Sequence, residues 1–593
     1  MRASKKDIIA AMFLPAALVM IFTQLTGVVA NIIDGIVTSR FLGSDAYSSV
    51  SLLAPMVNVI LLFASFVSLG GQIVCANKIG KGERDEADAV FSFSILAGIF
   101  IGAVFVFLCV AAPGILFRIC GVSIDSRPEL YAYMLSYLRG YLPGIPAVIM
   151  TQVLSPYFVM DNGKRLTSIA SIVLCVADIA GDLANVFVFS GGVFGMGVAT
   201  SVAMWLQLLT LLFHFFRGSG YFRFSLRALT VSHVKDIVKN GELTCLKRFA
   251  TILRDIGTNR INLLVALGTA AVAAKGIQSD LNMLMFSIGI GIGITLLSMS
   301  SMYYGAEDKD GLIRSFSYAI RLSMRITVPL GIILFLAAPV ISGFYTSEAE
   351  VLDFAIFSIR CMAVGLPLDA LTEIYQDYLQ GIQNRKVVNI LCFAERLFIP
   401  VTMSFILGML FGSKGVMASI AVGKMLLILG MFTAICIRNR SVPKHTEGYM
   451  FLPEGFGGEV SDNVSAQLSD MQDVIRASEG ASAFCRDHGG SKRLAFLIAL
   501  FVEEMAGNII RHGKARGRDK AMVDYRLSVS DGKVSLSLRD YCEEFDPMKY
   551  YEIHNYEELS TNIGIRMVMR LAKDINYVNT FSSNCLLINM ELK

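Results

Sequence analysis

Charged side chains are scarce in this sequence. Asp, Glu, Lys and Arg make up 17% of its 593 residues, hydrophobic residues make up 54%, and the mean hydropathy is +0.59. Soluble domains carry nearer a quarter charged residues, so this composition predicts a polytopic membrane protein embedded in a lipid bilayer. The net charge of +4 is small and dispersed along the chain, which argues against a nucleic-acid partner.

Paired cysteines are also lacking. The eleven Cys residues are isolated and none belongs to a CxxC pair, which argues against a disulfide framework and against a zinc site. The start, MRASKK followed by an apolar run, resembles a signal peptide. Because the run is long and more apolar segments follow, we interpret it as an uncleaved first membrane helix.

Apolar segments predict twelve membrane spans in two sets of six. They lie near residues 8–37, 46–74, 90–112, 130–159, 166–189, 194–216, 242–267, 276–303, 315–341, 351–379, 387–410 and 415–437. Lys and Arg concentrate in alternate loops, such as Lys78–Arg84 and Arg217–Lys239, and are few in the opposite ones. By the positive-inside rule, we expect a cell-membrane protein whose N-terminus and C-terminal region are both cytoplasmic.

The two sets of spans repeat one another. Gly80 corresponds to Gly305 at a displacement of 225 residues, and Gly144-Ile-Pro146 corresponds to Gly365-Leu-Pro367 at a displacement of 221. In transporters, such repeats typically place the substrate site between the two halves, near the middle of the membrane. Each repeat holds six spans, so both keep the same orientation.

Carboxylates and amides form stripes in the predicted spans. Asp34 lies in the first span, where a carboxylate costs roughly 3 kcal/mol and usually faces a water-filled cavity. Three further sets recur at helical spacing, each on one face of its helix: Asp178, Asp182 and Asn185; Asp255, Asn259 and Asn262; and Asp369, Glu373 and Asp377. Such clusters could carry H⁺ or hold Na⁺, and the sequence leaves both open as the coupling ion.

Several segments resemble the multidrug and toxic compound extrusion (MATE) family. They are IIDGIVTSRFLGSDAYSSVSLLAP, GKGERDEA, LGTAAVAAKGI and YGAEDKDG, and the resemblance covers roughly residues 8–438. It implies an all-α bundle with an N lobe (1–216) and a C lobe (217–438). It also implies export of small organic molecules against inward flow of H⁺ or Na⁺. In this resemblance Asp34 and Thr200 match residues of the N lobe, and Asp255 and Asp369 match acids of one branch's C lobe.

Basic residues inside the C lobe depart from that pattern. Arg254, Arg260, Arg396 and Lys424 lie in or beside predicted spans, whereas drug exporters of this family usually favour cationic substrates. One interpretation is that these cations neutralise nearby acids. The other is an anionic or zwitterionic substrate, which leaves a flippase for lipid-linked precursors as an alternative function.

The character of the chain changes after residue 438. Residues 439–459 read as a linker, and residues 460–593, here called the tail, read as a soluble α+β domain. We expect one amphipathic helix over residues 462–490 and a second over 493–513. A hairpin around Asp531-Gly532, a helix at 563–573 and strands near 575–580 and 585–592 complete the prediction.

The tail carries Glu504-x-x-x-Asn508, followed by RDYCEEFDP and TNIGIRMVMRLAKDINY. These segments resemble the GHKL ATPase family, above all anti-sigma-factor kinases. The resemblance implies that Glu504 is a catalytic base, Asn508 holds Mg²⁺, Asp540 reads adenine and Gly564 belongs to the second phosphate loop, so that the tail binds Mg-ATP.

The same segments depart from that family where Cys542, Glu544 and Asn562 replace glycines that let the backbone approach phosphate. Three interpretations of the tail therefore stand. It is a nucleotide-dependent regulator of export, a module that docks a regulatory protein, or the signalling kinase of a membrane receptor.

Overall fold

The computed structural model describes residues 8–42, 44–119, 128–161, 163–216, 222–264, 269–345, 348–453, 455–457, 462–514, 521–530, 532–553, 563–572, 574–580 and 583–592. Its N lobe contains α1 (Ile8–Val37), α2 (Ser44–Lys81), α3 (Arg84–Ala111), α4 (Pro113–Ile119), α5 (Pro128–Tyr141), α6 (Ile145–Met160), α7 (Lys164–Ala184) and α8 (Gly192–Phe216). Its C lobe contains α9 (Val231–Leu264), α10 (Thr269–Gly305), α11 (Lys309–Tyr345), α12 (Ala349–Gly381), α13 (Arg385–Phe393) and α14 (Ile399–Asn439). Helices are suited to a lipid bilayer because their backbone polar groups form hydrogen bonds within the helix and do not need water.

Among the described residues, ten helical segments are long and apolar enough to cross a membrane. The tenth, Arg385–Asn439, contains a break at Gly412, whose φ of 60° and ψ of −142° lie outside the helical region, so two helices meet there. α9 is 34 residues long but too polar to count among the ten. The twelve predicted spans therefore correspond to the ten segments with α9 added and the last segment divided.

The two lobes meet through α2 and α10, which are equivalent helices of the repeat. A Cβ added to Gly80 would lie 2.0 Å from the Met302 carbonyl oxygen, and one added to Gly305 would lie 2.2 Å from that of Asn77. Adding 225 to 77 gives 302 and adding it to 80 gives 305, so the two contacts are related by the repeat. Glycine at both positions lets the helix backbones touch at this end of the bundle.

The tail is an antiparallel five-stranded sheet with helices on one face. Its strands are β1 (Asn463–Leu468), β2 (Val523–Ser530), β3 (Lys533–Asp540), β4 (Asp574–Thr580) and β5 (Ser583–Glu591), in the order β1-β2-β3-β5-β4. Its helices are α15 (Met471–Asp487), α16 (Lys492–His512), α17 (Pro547–Ile553) and α18 (Ile563–Leu571). The α+β prediction is confirmed, including the hairpin around Gly532, but the single helix expected over residues 462–490 is wrong. Its first part is β1, and α15 begins only after Asp470, whose side chain accepts a hydrogen bond from the Asp473 backbone N–H at 2.8 Å.

Alternate residues of the sheet face two different surroundings. Val523, Tyr525 and Leu527 of β2, with their neighbours on β3, pack against α15 and α16 in the core of the tail. The residues between them point to the opposite face, where Arg526 and Arg539 contact the membrane half. A strand with period two thus builds the tail's core with one face and a contact surface with the other.

Candidate transport and nucleotide sites

Three carboxylates of the N lobe gather between α1 and α7. Asp178 and Asp182, one helical turn apart on α7, are both buried, and Asp34 lies close enough to repel each of them electrostatically. The Thr38 hydroxyl donates to Asp34 Oδ1 at 3.2 Å. Among the described residues, neither carboxylate oxygen of Asp182 and only one of Asp178's two is hydrogen-bonded. A buried carboxylate without partners is costly unless it binds a cation or a proton.

Thr200 and Asn185, the other predicted N-lobe residues, play different parts. The Thr200 hydroxyl contacts Asp178, which places it within the cluster. Asn185 begins a π-helical turn after α7 (Asn185–Phe189), where its amide accepts from the Gly191 N–H at 3.1 Å and donates to the Gly192 carbonyl at 2.9 Å. Both ends of that amide therefore hold the loop between α7 and α8.

The predicted acids of the C lobe are paired with cations. Lys424 bridges Asp369 and Glu395, with 2.5 Å to Glu395 Oε1. Lys247 bridges Glu373 at 3.3 Å and Asp377 at 3.2 Å. Arg396 also binds Glu373, at 2.6 Å. Three cations thus face four carboxylates in one buried network on α9, α12 and α14 and the π-helical turn Ala394–Phe398.

The acidic stripe on α9 is described through its backbone. The backbones of Asp255 and Asn259 belong to α9, but their side chains lie outside the described part of the structure. Their role as coupling residues stays a prediction. Among the described residues, no group of three or more His, Cys, Asp or Glu side chains is arranged to hold a metal ion.

In the tail, Glu504 lies against the start of α18. A Cβ added to Gly564 would come within 1.8 Å of Glu504 Oε2, so only glycine leaves room for this carboxylate. Asn508 follows one turn later on α16, on the same face. The N–H groups at the start of a helix suit a phosphate, and Glu504 stands beside them. The predicted pair and the predicted phosphate loop therefore share one site.

Asp540 ends β3, where a chain of polar groups holds its carboxylate. Oδ1 accepts from the Asn584 amide and from the Cys542 backbone N–H, both at 2.8 Å. Burial raises the pKa of Tyr577 above its usual value, so this hydroxyl stays protonated and donates to Asn584 Oδ1 at 2.7 Å. The network fixes Asp540 in one orientation, which a residue that reads a base requires.

The outer face of the tail sheet docks onto the loops where the two lobes meet. Arg526 donates to the carbonyls of Ala306 at 2.8 Å and Glu307 at 2.6 Å, and Asn576 donates to the carbonyl of Gly82. Adding 225 to 82 gives 307, so the tail donates hydrogen bonds to carbonyls at equivalent positions of the repeat, one in each lobe. Gly82 and Glu307 also share a left-handed backbone, with φ of 78° and 51°.

Further contacts extend this docking surface. The Arg539 guanidinium lies 4.6 Å from the centre of the Tyr303 ring, and Arg314 on α11 binds Asp524 at 2.9 Å. A cavity of about 720 Å³ remains between the sheet and the loops. The linker is part of the same assembly, because the carbonyl of the fully buried Met450 accepts from the Tyr378 hydroxyl at 2.9 Å.

Comparison with known proteins identifies both parts of the chain. The sequence model of the MatE family matches residues 20–184 and 258–406, more than half of the chain. The chain belongs to the MatE family. A second model, described as a histidine kinase-like ATPase domain, matches residues 467–590.

Relatives of the MatE half include the multidrug export protein MepA of Staphylococcus saprophyticus. It is 22% identical over 425 residues, which cover 70% of this chain and 92% of the relative. The Staphylococcus haemolyticus protein of the same name is 23% identical over 432 residues, with the same coverage. A structure described as the outward-facing conformation of a multidrug resistance MATE family transporter superposes with a TM-score of 0.67, 21% identity, and coverage of 74% of this chain and 98% of that one. This structural likeness shows the fold.

Sequence reasoning missed some residues of both sites. Lys247 was not singled out, although it lies within the predicted span 242–267. A lysine inside a membrane span is itself a signal of a buried partner. On the tail, Arg526 and Arg539 were not singled out either, although both belong to the predicted hairpin. Their clustering on one sheet face was the available signal.

Proposed function

We propose that this MatE protein exports organic molecules, such as drugs, and that the N-lobe acids carry the coupling ion. The observation that supports this is the side chain of Asp182, which is 1% exposed and has no hydrogen-bond partner among the described residues. Beside Asp34 and Asp178, such a carboxylate needs a cation, and a bound proton would satisfy it. Substrate binding and proton binding at these acids would then compete, which is the requirement for exchange.

The exporter is tested by flux in proteoliposomes that contain the full chain. An imposed proton gradient should drive export of an organic cation, and a Na⁺ gradient of equal size should not. Export driven by Na⁺ alone would keep the exporter and replace the coupling ion. No flux under either gradient would contradict the exporter and favour the receptor. Preference for a lipid-linked anion would favour the flippase, although Arg396 and Lys424 are paired with carboxylates.

For the tail, we propose that it regulates export by holding the two lobes together at the cytoplasmic side. It binds both lobes at repeat-equivalent carbonyls, beside the glycines through which α2 and α10 touch. Separation of the lobes at this end would break the hydrogen bonds to those carbonyls. Docking therefore stabilises the closed arrangement by the free energy of the hydrogen bonds that opening would break.

Mg-ATP is the proposed ligand of the tail, at the site formed by Glu504, Asn508, Asp540 and Gly564. The site lies on the helix-covered face of the sheet, opposite the docking surface, so nucleotide could reach it while the tail is docked. Isothermal titration of the full chain in nanodiscs with Mg-ATP tests the proposal. Heat of binding that disappears in Gly564→Ala supports it, because the new methyl group crowds the start of α18, where the helix N–H groups would meet phosphate. Absence of heat from the folded wild type leaves a protein-docking module.

A further inference from the structure

The buried ammonium group of Lys424 occupies the position that a free cation would take. Its Nζ lies between Asp369 of α12 and Glu395, and all three side chains are nearly inaccessible, with exposures of 16%, 12% and 3%. Glu395 also accepts from the Thr372 hydroxyl at 2.6 Å and from the Gln376 amide. The ammonium is therefore held by two carboxylates, of which Glu395 is oriented by other side chains.

One amide oxygen beside Glu395 makes no hydrogen bond among the described residues. Gln376 is fully buried, and its Oε1 atom has no hydrogen-bond partner among the described residues. The carboxylate oxygens of Asp369 and Glu395 that hold the ammonium are hard donors, and the Thr372 hydroxyl and the Gln376 amide lie beside Glu395. Oxygen atoms of this kind are the ligands that hard cations prefer.

Lys247 repeats the arrangement one turn further along α12. It bridges Glu373 and Asp377, and Arg396 neutralises Glu373 from the other side. Removing one partner of a buried ion pair leaves an uncompensated charge, which is strongly destabilising. Each lysine is thus required for its carboxylates to remain ionised and buried.

We propose that Lys424 and Lys247 are built-in counter-cations of the C lobe, so that the four acids they neutralise, Asp369, Glu373, Asp377 and Glu395, take up no free coupling ion. We further propose that truncating Lys424 turns its position into a site for a monovalent cation. The proposal concerns ion binding, so it does not depend on what the protein exports.

The first experiment measures thermal unfolding of the full chain in NaCl and in choline chloride at equal ionic strength. Lys424→Ala should be less stable than wild type in choline and should gain several degrees specifically from Na⁺, beyond any response of the wild type. The double variant Lys424→Ala/Glu395→Gln should lose that gain. Lys414→Ala is the matched control, because its half-exposed side chain binds Asp353 at 2.8 Å away from the network, and it should respond as wild type does.

A second comparison tests the wild-type network directly. If the site holds no free ion, Glu395→Gln should leave the Na⁺ response of the protein unchanged. A response reduced by Glu395→Gln would overturn the proposal, and so would a folded Lys424→Ala without additional Na⁺ stabilisation. If folded Lys424→Ala protein can be purified in NaCl but not in choline chloride, this result also supports the proposal, because Na⁺ is then required for the stability of the variant. If it is recovered in neither salt, the Glu395→Gln comparison decides.

Discussion

Replacing Arg526 by alanine should weaken the docking of the tail onto the C lobe. The guanidinium donates to two loop carbonyls, at 2.8 and 2.6 Å, and the second bond is solvent-exposed. A hydrogen bond from a charged group contributes about 1.5–3 kcal/mol, and exposure lowers that value. We expect docking to weaken by about 2–3 kcal/mol in all, which is roughly a 30- to 150-fold change in the ratio of docked to undocked tail.

Hydrogen exchange in nanodiscs measures this weakening. Backbone amides of residues 305–310 should exchange faster in Arg526→Ala, whereas those of α16 should not change, because the core of the tail does not involve Arg526. Arg476→Ala is the control, since this exposed arginine of α15 pairs only with Asp473 among the described residues and should leave the loop protected. Asn576→Ala, which removes the contact with Gly82, should expose the N-lobe loop in the same way.

Two results would refute the docking argument. Unchanged exchange of the loop in a folded Arg526→Ala protein would show that the tail does not protect it. Faster exchange throughout the tail would show that Arg526 stabilises the domain itself, through its 3.1 Å bond to Asn463, and not its docking. If docking also restrains the transporter, the rate of export should change in Arg526→Ala and stay unchanged in Arg476→Ala.

The remaining predictions concern coupling, nucleotide and topology. Asp182→Asn should abolish gradient-driven export in the flux assay but leave the protein folded, because the amide cannot take up a proton; wild-type rates would show that Asp182 is structural. Asp540→Asn should weaken Mg-ATP binding by about 1–3 kcal/mol, measured by titration, since it alters a buried hydrogen bond to a charged group. Asn508→Ala should reduce only the Mg²⁺-dependent part of the affinity, and Glu504→Gln should preserve binding and remove any phosphotransfer. A reporter fused at Lys593 should be cytoplasmic, and an external reporter would reverse the orientation.

Local patterns predicted much of this molecule. The hairpin around Gly532 follows from strand alternation on both sides of a turn, and the pairing of Asp178 with Asp182 follows from the helical period. Both depend only on residues close in sequence. β1 was missed because Asn463–Leu468 is short and directly precedes a strong helix, so its strand character depends on pairing with β2, some 55 to 65 residues later.

Contacts between distant helices could not be predicted in that way. The partner of Lys247 is set by how α9 packs against α12, a separation of 126 residues to Glu373. The docking face of the tail depends on which side of the sheet meets the membrane half. An alternation of polar and apolar residues specifies two faces but does not say whether the polar one meets water or another domain.

The two lobes handle their carboxylates in opposite ways, and this difference bears on where coupling occurs. Subtracting 221 from Asp369, Glu373 and Asp377 gives Val148, Gln152 and Pro156, so the acids of α12 have no acidic counterparts in the N lobe. The N lobe instead carries Asp34 on α1 and Asp178 and Asp182 on α7, without a paired lysine or arginine among the described residues, whereas the acids of α12 are neutralised by lysine and arginine side chains. The ammonium group of a lysine is covalently attached, so it cannot leave its carboxylates during transport. An unpaired buried carboxylate, in contrast, must bind and release a free cation as its exposure to water changes. We therefore expect the free ion of the cycle to bind in the N lobe, and the charge network of the C lobe to keep α9, α12 and α14 together while the lobes move.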